Sequence, residues 1–254
     1  MTSETNGSEQ LRRSIDLLWG DGGRPSRGPK PSLTLPTIVE AAITVADRDG
    51  IAALSMRRVA AELGVGAMSL YRYVPGKAEL LALMLDKVSG PNEAAERVAG
   101  EGWRTVLEAV ARGSYRLYLD HRWLLHINWT RPVMGPNSLA GLELVVGALD
   151  RLGLSDQERM AVVITLDGFV AGYARQYVQY YSAAEESGVS EEEFWGQHYP
   201  VLVRAMESGK YPAMAALDEN AFDMGWEETF EFGLQRMLDG LAVLFESRAS
   251  GAVS

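Results

Sequence analysis

The chain has 254 residues, 47% of them hydrophobic and 23% charged, enough for one large or two modest folded units whose core needs no covalent staples. It contains no cysteine, which excludes disulfides, thiolate zinc sites and thiol catalysis. No apolar run approaches the roughly 18 residues of a membrane span and the N-terminus lacks a leader-like apolar core, so a cytoplasmic protein with no membrane partner is expected.

The net charge of −10 is unevenly spread. Residues 24–77 hold eight Lys or Arg against four Asp or Glu, whereas residues 78–254 hold 14 against 26. A basic head on an acidic body can approach phosphates with one end only.

In chain order, residues 1–10 are polar and expected to lack regular structure. Leu11, Ile15, Leu18 and Trp19 have the spacing of a short amphipathic helix. "GDGGRPSRGPKPS", residues 20–32, reads as a Gly/Pro linker, so residues 1–32 form a flexible arm. Its Arg24, Arg27 and Lys30 are placed to reach a minor groove or phosphates, or simply to solubilise the linker.

From Leu35 onward the apolar spacing is helical, with no sustained period-two alternation, and the expected class is all-α. A first helix covers Leu35–Asp49, with Pro36 in its first turn and Gly50 at its stop. Ser55 caps a second over Met56–Leu63, and Gly64 turns the chain into a third over Gly66–Val74. Pro75-Gly76 ends that one before a fourth begins at Lys77 and runs to Val88, closed by "SGPN". Further helices are expected near 101–120, 122–128, 136–152, 155–184, 190–208 and 224–247.

Helix, glycine turn and short helix form a helix-turn-helix outline, in which the second helix enters the major groove. Ser69 and Tyr71 can hydrogen-bond base edges there, and Ala67 and Met68 suit thymine methyls. Tyr73 and Lys77 stand where the chain would leave the groove, near phosphates, and Ser55 with the amides behind it offers a second phosphate site. The outline alone also occurs in all-α proteins that never touch DNA. Val59, Ala60, Leu63, Val65, Leu70 and Val74 read as core, and one of Arg57 and Arg58 can pair with an acid.

Over Leu35–Val88, "ADRDGIAALSMRRVAAELGV" followed by "SLYRYVPGKAELLALML" resembles the tetracycline-repressor (TetR) family of transcriptional regulators. The resemblance implies a homodimer with a DNA-binding head at residues 33–80 and a ligand-binding and dimerisation body at 81–248, followed by a disordered tail at 249–254. It places the contacts to double-stranded operator DNA on Ser55, Met56, Arg57, Ala67, Met68, Ser69, Tyr71, Arg72, Tyr73 and Lys77. It also implies a small-molecule effector, with no cofactor.

The body's longest expected helix carries an aromatic stripe at Phe169, Tyr173, Tyr177, Tyr180 and Tyr181, beside small residues Gly168, Ala171 and Gly172. Trp103, Tyr115, Tyr118, His126, Trp129, Tyr173 and Tyr177 combine flat apolar area with polar tips and are the candidate effector contacts. The three histidines lack metal-ligand spacing, so no metal site is expected. "INWTRPVMGPN" resembles the tetracycline-binding subgroup at "TRP", but Ile127 stands where that subgroup has a metal-contacting histidine. That points to an apolar or aromatic effector instead of magnesium-tetracycline.

Two other readings fit the sequence less well. An enzyme is disfavoured by the absence of a Gly-rich phosphate loop, nucleophile elbow or metal cluster. A helical small-molecule- or partner-binding dimer without DNA binding is disfavoured by Ser69, Tyr71 and Lys77 together with the basic head.

Overall fold

A computed structural model describes residues 2–20, 33–128 and 133–251, with side chains described for 7–20, 33–128, 133–184 and 186–248. Every α or 3₁₀ element among them is helical and no strand occurs among them. The order is α1 (Thr2–Trp19), α2 (Leu35–Asp49), α3 (Met56–Glu62), α4 (Ala67–Leu70), α5 (Lys77–Val88), α6 (Glu93–Arg97), α7 (Trp103–Asp120), α8 (Pro136–Ala148), α9 (Asp156–Ser187), α10 (Glu191–Glu207), α11 (Pro212–Ala215) and α12 (Trp226–Gly251). Short 3₁₀ turns occupy Ile51–Ala53 and Arg122–His126.

The head forms because side chains cap α2 and α3, whereas α4 and α5 start at Gly66 and Gly76 without a side-chain cap, and because its helices bury apolar residues together. Thr34 accepts from Thr37 N while the Thr37 hydroxyl accepts from Thr34 N, a capping box at the start of α2. Ser55 caps α3 by accepting from Arg58 N. Ile38, Val45, Val59, Leu70 and Val74 are fully buried together. Burying an aliphatic side chain of this size contributes about 1.5–3 kcal/mol. A four-residue helix such as α4 therefore holds its place through Leu70 and Val74, not through its own hydrogen bonds.

In the body, α7 packs against α8, α9 and α12. Leu107, Ala111, Leu149, Leu166, Val170, Leu234 and Leu238 fill the space between. Arg112 of α7 donates to both oxygens of Glu231 on α12, and its Nη1 reaches Glu108 at 3.1 Å. Ser155 and Glu158 form a capping box that starts α9. α10 differs from all of these, because none of its residues is buried.

Several expectations change. The arm is not unstructured over residues 2–19: α1 is helical from Thr2 and packs on α5. Leu18 and Ser14 are buried there, and Arg13 Nε meets Glu79 at 3.2 Å. The amphipathic spacing at 11–19 pointed to this helix, but its docking partner lies some 60 residues away in sequence and left no local trace. Residues 21–32, with Arg24, Arg27 and Lys30, lie outside the described residues. The expected helix Gly66–Val74 shortens to Ala67–Leu70, since Tyr73 N and Val74 N both close on Leu70 O in a tight final turn. α6 sits just beyond the expected "SGPN" loop, with Asn92 capping Ala95 N at 2.9 Å. α11 was not anticipated, and the expected helix at 122–128 is a 3₁₀ turn. α12 continues to Gly251, into the expected tail, and residues 252–254 lie outside the described residues. The expected division at residue 80 falls inside α5, so one continuous helix belongs to both head and body.

Candidate DNA-binding face and effector cavity

The turn between α3 and α4 decides how the recognition helix is presented. Gly64 takes φ of 66°, with Gly64 N donating to Ala61 O and Val65 N to Ala60 O. This is the Schellman arrangement, which turns the chain sharply while satisfying the last carbonyls of α3. No atom outside its immediate neighbours lies within 4 Å of a Cβ built at Gly64, so the requirement for glycine there is purely conformational.

What emerges is an exposed face over a buried anchor. Met68 is 78% exposed and Tyr71 46%, while Leu70 between them is fully buried. Ala67, Ser69 and Tyr73 are half-buried, and Arg57, Arg72 and Lys77 are exposed. Arg58 pairs with Asp49 at 3.2 Å, whereas among the described residues no ion pair involves Arg57. Lys77 Nζ reaches Ile51 O at 3.4 Å, which holds the ammonium beside the start of α3. Met56 is the exception in the expected set. It is only 6% exposed and belongs to the head's core, because the first residue of α3 faces α2 and not outward. Its side chain leaves the candidate face.

Between α5, α6, α7, α8 and α9 lies a cavity of about 1530 Å³. Its wall includes Lys87 and Val88 at the end of α5, together with Leu117, Leu142 and Ile164. Of the expected effector contacts, Tyr118 lines it. The Tyr118 hydroxyl donates to Asp167 Oδ1 at 3.0 Å, and Asp167 also lines the cavity. Burial, then the neighbouring Asp167 charge, raises the phenol well above its ordinary value. Surrounding protein likewise raises the Asp167 carboxyl, with the Tyr118 hydrogen bond opposing it, although the residue remains exposed to solvent.

Other expected contacts gather elsewhere. Tyr115 stacks on Phe230 with centroids 4.3 Å apart, and Tyr173 and Tyr177 meet both Tyr115 and Trp226 edge-on. Together with Phe169 they make an aromatic nest joining α7, α9 and α12, away from the cavity wall. Burial pushes the Tyr115 hydroxyl up to about 12. Trp103 packs edge-on to Phe245 at 4.7 Å, and His126 is exposed at the end of its 3₁₀ turn. Trp129 and the "TRP" segment lie outside the described residues. Sequence reasoning missed Asp167, since a lone aspartate on a helix usually faces water and its phenol partner is 49 residues away.

Head and body are joined by polar links of defined geometry. Asp86, buried near the end of α5, accepts from Ser138 N and Oγ at 2.9 and 2.8 Å and from Asn137 Nδ2 at 3.2 Å. It thus caps α8, whose own N-cap is Gly135 and supplies no side chain. A Cβ at Gly135 would lie 2.4–2.6 Å from that carboxylate, so only glycine lets Asp86 approach. Asp47 of α2 accepts from Trp123 Nε1 at 2.7 Å and meets His121 Nδ1 at 2.8 Å. Trp19 Nε1 of α1 donates to Met134 O at 3.0 Å.

A helix-turn-helix face tied through one helix to a cavity-bearing helical body defines a ligand-responsive, DNA-binding transcriptional regulator of the repressor kind, not an enzyme. The chain belongs to the TetR family. Residues 38–84 match "Bacterial regulatory proteins, tetR family" and residues 98–245 match "Tetracyclin repressor-like, C-terminal domain". It is 49% identical over 97% of its length, and 91% of the relative's, to the HTH-type transcriptional repressor DrrR1 of Streptomyces coeruleorubidus. Apo ActR from Streptomyces coelicolor superposes with a TM-score of 0.67 at 29% identity, covering 86% of this chain and 99% of ActR. ActR in complex with actinorhodin gives 0.65 at 29% identity, over 85% and 98% of the two chains. Among the described residues no helix is long and apolar enough to cross a membrane, and no cluster of His, Asp and Glu suits a metal ion.

Proposed function

We propose that this chain acts in the cytoplasm as a homodimer on a palindromic operator, and that a small, flat, apolar or aromatic molecule releases it by filling the cavity. The observation that carries the reading is that α5 serves both sites. Leu80 and Met84 are buried in the core shared with α2, while Lys87 and Val88, one turn later, line the cavity. A helix of 12 residues is a rod of about 18 Å, so an occupant that displaces one end moves the other. Two recognition helices must enter major grooves about 34–36 Å apart, and a tilt of α5 in each subunit alters that separation. Effector and DNA then weaken each other's binding by the same factor.

Ser69, Tyr71, Met68 and Ala67 face the bases in this reading, with Ser55, Arg57, Arg72, Tyr73 and Lys77 on the backbone. Phe232 and Val243 on α12, and α10, none of whose residues is buried, leave apolar area that a second copy would cover. The likeness to ActR, solved with actinorhodin, supports a small-molecule effector. A nuclease footprint on the DNA upstream of the chain's own gene is the test. Two protected half-sites with one helical turn, or a multiple of it, between their centres are expected. No protection, or a particle of single-chain mass in light scattering, overturns the reading.

A further inference from the structure

The cavity is larger than the roughly 300–1,000 Å³ of common ligand sites, and α9 gives its wall Val163 and Ile164, one turn before Asp167, while Glu93, Glu96, Glu108 and Asp120 line it from other elements. Asp167 follows that aliphatic pair on α9. One oxygen accepts from Tyr118, and no cation pairs with the carboxylate among the described residues. Four bases line the cavity, Lys87, Arg97, Arg112 and Arg116, and none of them pairs with Asp167 among the described residues. Arg112 is held by Glu231 and Glu108, and Arg175, which acts on Tyr118, donates from Nη2 to Leu125 O. Arg116 lines the cavity from the exposed side of α7.

A flat ligand pressed on Val163 and Ile164 would strip water from the carboxylate beside them. A neutral or anionic ligand leaves that charge uncompensated, which is costly in a partly desolvated site, whereas a ligand cation offsets it. We propose that the effector carries a protonated amine seated on Asp167, with Tyr118 orienting the carboxylate and the flat body lying against Val163 and Ile164. This rests on the reading of the cavity as the effector site. Asp167 is thereby a specificity residue that separates basic from neutral aromatic molecules.

The test uses three fluorescent probes that share one ring system, 1-pyrenemethylamine, 1-pyrenemethanol and 1-pyrenecarboxylate, titrated into the full chain at pH 7. The amine should bind at least about tenfold tighter than the alcohol, the low end of couplings measured for close charge pairs, and the carboxylate weakest. Asp167→Asn should reduce the amine's advantage to less than about threefold and leave alcohol affinity within about twofold. Tyr118→Phe keeps the charge and should retain most of the preference, which shows that a folded cavity without the hydroxyl still selects cations. Unchanged melting temperatures in both variants establish folding. Equal affinity for amine and carboxylate, a preference that survives Asp167→Asn, or no saturable binding of any probe overturns the proposal. A chain that still footprints its operator in such a case loses only this inference, whereas a chain that protects no DNA loses the effector-site reading as well.

Discussion

The candidate recognition face and the candidate effector cavity are both open surfaces, yet they are built in opposite ways. The face comes from one stretch, Ser55 to Lys77, in which each exposed group is a neighbour of its own anchor: Met68 and Tyr71 flank buried Leu70. The cavity comes from five helices, and its polar centre joins residues 118 and 167. A surface set by local chain geometry can be damaged residue by residue. One set by helix placement depends on distant links, and those links are where the largest effects fall.

Asp86→Ala should therefore be the most severe change. It removes a buried carboxylate that holds donors of Ser138 and Asn137, and it uncaps α8. About 2–3 kcal/mol of stability should be lost, read from urea unfolding. A loss under about 0.5 kcal/mol would show that head and body are not coupled through this carboxylate. Tyr71→Ala should leave the melt unchanged while weakening operator binding by about 1–3 kcal/mol in a gel-shift titration. Arg57→Ala should weaken binding evenly across sequences and lower the salt slope by about one. If either variant instead unfolds the head, the separation of face from anchor fails. Gly64→Ala should cost about 1–2 kcal/mol through its left-handed backbone alone, with no new clash, as judged by thermal melts. The smallest effect concerns Glu231, whose carboxyl Arg112 holds below the ordinary glutamate value. Its stabilisation is complete at neutral pH and is lost as pH falls through that lowered value. Because the pair is about two-fifths exposed, it contributes at most about 1 kcal/mol. Melts of wild type and Glu231→Gln should differ at pH 7 and converge in acid.

The same contrast explains what could be read in advance. Helix boundaries at Leu35–Asp49 and Lys77–Val88 were legible because Pro36, Gly50 and Gly76 mark them locally. The exposed face of α4 was legible because hydroxyls and rings stand where a surface helix carries charges. The side chain of Met56, a residue the resemblance places among the DNA contacts, is buried, and a two-turn helix gives too few residues to foresee that rotation. The aromatic stripe of α9 was correctly seen as a stripe, but its partners Trp226 and Phe230 make it a packing seam with α12. Asn92 followed by Glu93 and Glu96 carried the cap-plus-acid signature of α6, masked by the adjoining Gly90-Pro91. Asp167 and Asp86 had no local signature, because each acts on a helix remote in sequence.

The indole of Trp19 has a mechanical consequence. α1 rides on α5 through Glu79 and is pinned to the body at Met134, so it bridges the joint about which α5 would swing. Any such swing must either carry α1 along or part that indole from its carbonyl. A single neutral hydrogen bond is worth about 1 kcal/mol, roughly fivefold in an equilibrium. The N-terminal helix is thus a light brake, strong enough to bias the resting posture and weak enough for an arriving molecule to override.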